Sequence, residues 1–133
     1  MMAAANSIRQ MIDNVTQLDA AMTELRKVTD ETDATYEQFF SDATVRARNL
    51  GATVTDTINA SADFARLGYN IDDAATLADT AIIYKNVGDG ITDIGVASQS
   101  IISTLKGFSL EAEDATHVVD AFNEVGKCLC PAA

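Results

Sequence analysis

The chain has no tryptophan, one proline, one histidine and two cysteines in 133 residues, and aromatic side chains make up only 6% of it. Both cysteines, Cys128 and Cys130, lie in the last six residues, where a disulfide cannot staple a fold. Proline is too scarce to interrupt long helices or to make a proline-rich linker. Basic residues are also few. Nine Lys and Arg against twenty Asp and Glu give a formal net charge of −11 and a pI near 4.2. A field of that sign repels nucleic acid and anionic membrane. No stretch approaches the ~18–20 apolar residues that span a bilayer, and "MMAAANSIRQ" lacks the basic flank and apolar core of a secretory signal.

What remains is rich in Ala, Asp, Thr and Leu, and it predicts an all-α protein. From Ile8 the apolar residues fall at Ile8, Met11, Val15, Leu18, Met22 and Leu25, alternating three and four. They form one coiled-coil-like seam on an amphipathic helix. Two uses of that seam are open: association with other copies of the chain, or closure onto Tyr36, Phe40 and Leu50 within one chain. The polar run Thr29 to Asp33 carries N-cap residues and breaks the pattern. A second helix is predicted over 33–50, with Tyr36, Phe40, Ala43, Ala47 and Leu50 on its apolar face and Gly51 as its stop. Four shorter helices follow, at roughly 54–67, 71–86, 93–106 and 110–126.

The chain aligns with itself at an offset of about 39 residues. Gly51 pairs with Gly90, Thr53 with Thr92, Gly68 with Gly107, Tyr69 with Phe108, Asn70 with Ser109, Ile71 with Leu110 and Asp72 with Glu111. Gly68 and Gly107 are expected to end a helix in the left-handed conformation, with Tyr69 and Phe108 packing back and Asn70 and Ser109 capping the next helix. The twin motifs therefore read as the structural turns of a duplicated helical hairpin. The predicted organisation is an N-terminal amphipathic helix (1–29), a helical core (30–127) containing hairpins 51–89 and 90–126, and an irregular tail (128–133).

Sites of chemistry are hard to build from these residues. His117 has Asp114 and Asp120 at helical spacing but no nucleophile with a definable place beside it, and it reads as a boundary histidine. C128-L129-C130 with His117 matches no common zinc module. Asp89 and Asp93 around Gly90 lack both the calcium-loop pattern and the phosphate-loop signature; a helix stop at Gly88 and a cap at Thr92 account for the stretch. The Lys and Arg residues are scattered, mostly in last turns of helices. The reading is a non-enzyme with no catalytic, cofactor or metal site and no sequence-specific nucleic acid binding.

Three long stretches carry a family resemblance: "LDAAMTELRKVTDETDATYEQF" (18–39), "ADFARLGYNIDDAATLADTAIIYKNVGDG" (62–90) and "SQSIISTLKGFSLEAEDATHVVDAFNEVG" (98–126). They resemble the N-terminal core region of phage tail tape measure proteins of the minor tail protein type, over roughly residues 8 to 126. The resemblance implies a structural component of a long-tailed phage or prophage. Such a component sits in the virion tail, is assembled in the host bacterial cytoplasm, and acts in tail assembly and length determination by contacts with itself and with other tail proteins. Members of that family are many hundreds of residues long. Where they continue in a Ser- and Gly-rich segment this chain reads K-C-L-C-P-A-A, which is expected to be a truncated or frame-shifted end. The alternative is a free-standing helical adaptor whose repeat groove binds a partner peptide or helix.

Overall fold

Thr32, Thr53, Asn70 and Asp93 each turn a side-chain oxygen back onto a backbone N–H two or three residues ahead, and a helix begins after each. In the computed structural model, which describes residues 2–88 and 90–129, with side chains for 8–88 and 90–125, six α-helices follow one another. They are α1 (Met2–Val28), α2 (Asp33–Leu50), α3 (Val54–Ala65), α4 (Ile71–Val87), α5 (Ile94–Gly107) and α6 (Ala115–Leu129), the last preceded by a short 3-10 turn at Ala112–Asp114. The described residues are all-helical with no strand. The α6 helix takes in Cys128 and Leu129, the first two residues of the expected irregular tail. Cys130 and the rest of that tail, like Asp89, lie outside the described residues.

The α1–α2 break is stitched by Tyr36 and Arg26. Tyr36 is buried, and its hydroxyl shares a 2.8 Å hydrogen bond with Thr29 Oγ1 and accepts one of 3.2 Å from the Glu31 N–H. Arg26 lies 4.4 Å over the Tyr36 ring and reaches Asp33 at 3.0 Å. The helix exits rest on glycine at two places where the backbone turns left-handed between helices. Gly51 (φ +69°) closes α2, and Gly68 (φ +99°) turns α3 into α4.

The α3 helix is the centre of the bundle, packing against α1, α2, α4 and α5, while α6 covers α4 and α5. Its sequence permits this because residues on nearly all its faces are small or apolar. Ile58, Phe64, Ala60, Ala62 and Ala65 are buried, and so are the hydroxyls of Thr57 and Ser61. Those two hydroxyls donate to their own helix, to Thr53 O (3.0 Å) and Thr57 O (2.9 Å), so burial leaves neither without a partner. Leu25, Leu77, Ile101 and Leu105 close around Phe64 and Ile58 as fully buried side chains. Alanines at 43, 62, 74, 81 and 97 in the same core let the helices approach closely. On α6, Ala115, Val118 and Val119 are buried and Phe122 meets the Tyr84 ring at 5.5 Å. Val125, three residues beyond Phe122, is exposed.

Four local expectations are corrected. On α2 the aromatic buried along with Tyr36 is Phe39, three residues on, and Phe40, four residues on, is exposed. The cap of α5 is Asp93, whose Oδ1 accepts from the N–H groups of Gly95 (2.7 Å) and Val96 (3.3 Å); Thr92 lies one residue too early. Gly107 is the last residue of α5 with no positive φ, and the left-handed position of the second turn falls on Ser109 (φ +55°). Ser109 therefore does not cap the next helix. That role passes to Glu111, whose N–H donates to Asp114 Oδ2 at 3.0 Å.

Candidate interaction surface

An α-helix of 27 residues extends about 40 Å, whereas α3, against which α1 packs, has 12 residues and extends about 18 Å. The two run in the same direction. Val15 and Leu18 line a groove together with Thr53 and Val54 at the start of α3, and Glu24 accepts from Arg66, just past the end of α3, at 3.1 Å. The part of α1 before Val15 therefore reaches past the first turn of its partner helix.

This geometry divides the predicted seam. Leu25 is fully buried (0% exposed), and Leu18 and Met22 pack against the core, joined by Ala21 and Val28. Ile8, Met11 and Val15 are 58%, 66% and 65% exposed. Closure within the chain thus accounts for one half of the seam, and the other half lies bare. Closure is not onto Phe40, which points outward, but onto the cluster that holds Tyr36, Phe39 and Ile58. The seam reading passes over Ile12, which is 59% exposed and shares a shallow apolar hollow of about 360 Å³ with Ile8, Met11, Val15 and Thr16. Its signal was its spacing of four from Ile8 and three from Val15. On an ideal helix Ile8, Met11, Ile12 and Val15 fall within an arc of about 100°.

The paired hairpin turns come together at one end of the bundle. Lys106 Nζ sits 5.3 Å over the Tyr69 ring, so the first turn touches the end of α5. Burial, with the nearby Glu111 and Asp73 carboxylates, raises the Tyr69 phenol above its ordinary pKa. The two turns are unlike in their exposed chemistry. Tyr69 packs against the core, whereas Phe108 is 75% exposed and does not pack back. Asn70 caps α4 by accepting from the Asp73 N–H at 2.8 Å.

Between α2, α3 and α4 lies a cavity of about 310 Å³, lined by Gln38, Asp42, Arg46, Thr57, Ser61 and Asp72 among others. Arg46 is ion-paired with Asp79 across α2 and α4. Burial pushes the Asp79 carboxyl above its ordinary 3.8 in spite of Arg46, and its Oδ1 is buried without a partner. Arg46 is therefore committed to a structural pair. His117 is exposed on α6. Among the described residues no group of three or more His, Cys, Asp or Glu side chains is gathered to hold a metal ion, and no helix is long and apolar enough to cross a membrane. No family model matches this chain, and no solved structure matches it.

Proposed function

We propose that this chain is a non-enzymatic, structural segment of a tape measure protein of a long-tailed phage or prophage, acting in tail assembly and length determination through helix-mediated contacts. The reading rests on the three stretches that resemble that family, at 18–39, 62–90 and 98–126. The observation that carries the contact mechanism is the apolar stripe Ile8, Met11, Ile12 and Val15, left bare on a helix that reaches past its own bundle. A helix face of this kind takes another helix, and the partners proposed for it are other copies of this chain and other tail proteins. The place of action is the virion tail, reached by way of the bacterial cytoplasm during assembly. The ruler cannot reside in this segment alone: even fully helical, 133 residues reach only about 200 Å, and the breaks between helices fold it far shorter.

Deleting the coding segment for residues 1–133 in the phage or prophage that carries it, inducing the phage and imaging the particles by electron microscopy tests the proposal. Tails absent or of altered length are the expected result, and particles with tails of normal length would refute it. The second reading, a helical adaptor, has the cavity between α2, α3 and α4 in its favour. At about 310 Å³ it is at the small end of ligand pockets and too small for a helix, so it fits the adaptor less well than the arm fits assembly.

A further inference from the structure

The exposed stripe reads the same in both directions. From Ile8 the apolar residues step three, one and three, to Met11, Ile12 and Val15, and reversing the helix leaves that spacing unchanged. A patch with this symmetry is self-complementary about a two-fold axis midway between Met11 and Ile12, the requirement for an isologous contact between identical chains. Ile8 would then face Val15 of a second copy, and Met11 would face its Ile12.

Charge selects the same arrangement. Arg9 and Asp13 are the only charged side chains among the first 16 residues and they cancel, so the whole formal net charge of −11 lies beyond residue 16. Two arms side by side and parallel would bring two strongly acidic bundles together. Antiparallel arms hold the bundles at opposite ends of the paired helices, so that the first acids beyond the arms, Asp19 of each copy, stand about 22 Å apart along the axis, about two Debye lengths at ordinary salt, with the helix dipoles also opposed. The stripe is a large apolar surface, among the described side chains of α1, on which two such acidic chains can meet without like charges between them.

From this we infer that α1 is a two-fold dimerisation arm, pairing antiparallel with α1 of a second copy through Ile8, Met11, Ile12 and Val15 in the free chain. It rests on the reading above that the arm meets other copies of this chain, and it adds the orientation, the register and the strength. Four side chains of this size bury on the order of 400 Å² per arm and about 800 Å² in all, short of the ~1,200 Å² of a stable interface. The dimer is accordingly weak, forming at concentrations on the order of 100 µM, and it becomes substantial only where copies are concentrated.

Cross-linking separates the geometries. In a background with Cys128 and Cys130 changed to Ser, chains carrying Ile8→Cys are mixed with chains carrying Val15→Cys under oxidising conditions, and each is also oxidised alone. The antiparallel register gives disulfide-linked dimers in the mixture and few in either single sample, because like positions then sit about 10 Å apart along the axis. Dimers of Ile8→Cys alone would overturn the antiparallel inference while leaving self-association standing. Sedimentation that shows monomer alone up to millimolar concentration, for the chain that still folds by circular dichroism, would overturn both. Ile12→Asp is the folding control: it abolishes dimer formation and keeps full helicity, since Ile12 makes no core contact within its own chain.

Discussion

Truncating Leu25 to alanine tests the division of α1 into a docked half and a free half. Leu25 is fully buried, on the side of α1 that meets α3, within the cluster of Ile58, Phe64 and Leu105. Deleting such a side chain loses its transfer free energy and leaves a cavity between helices, a cost of about 2–5 kcal/mol in comparable cores. The centre of that range is the expected value here, because the alanines around the site already hold the helices close and leave little room for collapse. For a chain of 133 residues the entropy of unfolding is about 0.28 kcal/mol per kelvin, so a loss of about 3.5 kcal/mol lowers Tm by about 12 °C. The matched variant is Ile12→Asp, thirteen positions earlier on the same helix and exposed. Measured at low micromolar concentration, well below that at which the proposed dimer forms, it should move stability by no more than about 0.5 kcal/mol. Thermal unfolding followed by circular dichroism reads both. The reasoning is refuted if Leu25→Ala melts with the parent, or if Ile12→Asp falls as far as Leu25→Ala, since either result would mean that the docked and free halves of α1 have been exchanged or that both are core.

The two glycines of the repeated motif should respond oppositely in thermal or denaturant unfolding. Gly68→Val places a β-branched residue at φ +99° and should cost about 1–2 kcal/mol or more, whereas Gly107→Ala, helical and with open space around the added carbon, should gain about 0.5–1 kcal/mol. At Gly88 a Cβ would stand 2.7 Å from the Tyr84 carbonyl oxygen and 3.2 Å from the Ile91 side chain, so Gly88→Ala should destabilise by about 1–3 kcal/mol in the same assay. The Glu24 carboxyl is held below its ordinary 4.5 first by Lys27 and secondarily by Arg66; its contribution to stability is present above 4.5 and is lost as pH falls through the lowered value. An NMR titration should find Glu24 nearer its ordinary value in Lys27→Ala than in Arg66→Ala, and the reverse order would contradict that ranking. Asp79 runs the other way. Its carboxyl is raised above 3.8 by burial, so its contribution is greatest at acid pH and is lost as pH rises through the raised value, and Asp79→Asn should lessen the fall in stability over that interval, read by urea unfolding across pH 3–6.

Much of this fold is local in origin, and for that reason it is legible in the chain. Thr32, Thr53 and Asn70 cap their helices through side chains that reach only two or three residues, and Gly51 and Gly68 end helices because their own φ is free to turn positive. The helix spans at 33–50 and 71–86 follow from such signals to within a residue of α2 and α4. The duplication is equally visible, but what its second copy does is not. Ser109 rather than Gly107 takes the left-handed position, and Glu111 rather than Ser109 starts the next turn, because α5 runs on in helical conformation through Gly107. Phe39 and Phe40 are adjacent in sequence and only the position of α3 and α4 against α2 chooses which is buried. The seam on α1 shows the same limit most clearly. Periodicity assigns Ile8 through Leu25 to one face of one helix, a property of the residues alone. Which part of that face is core depends on the length of the helix that meets it, and α3 at 12 residues covers Leu18, Met22 and Leu25 while leaving Ile8, Met11, Ile12 and Val15 to solvent. Burial is a relation between two elements, so no pattern written on one of them could have contained it.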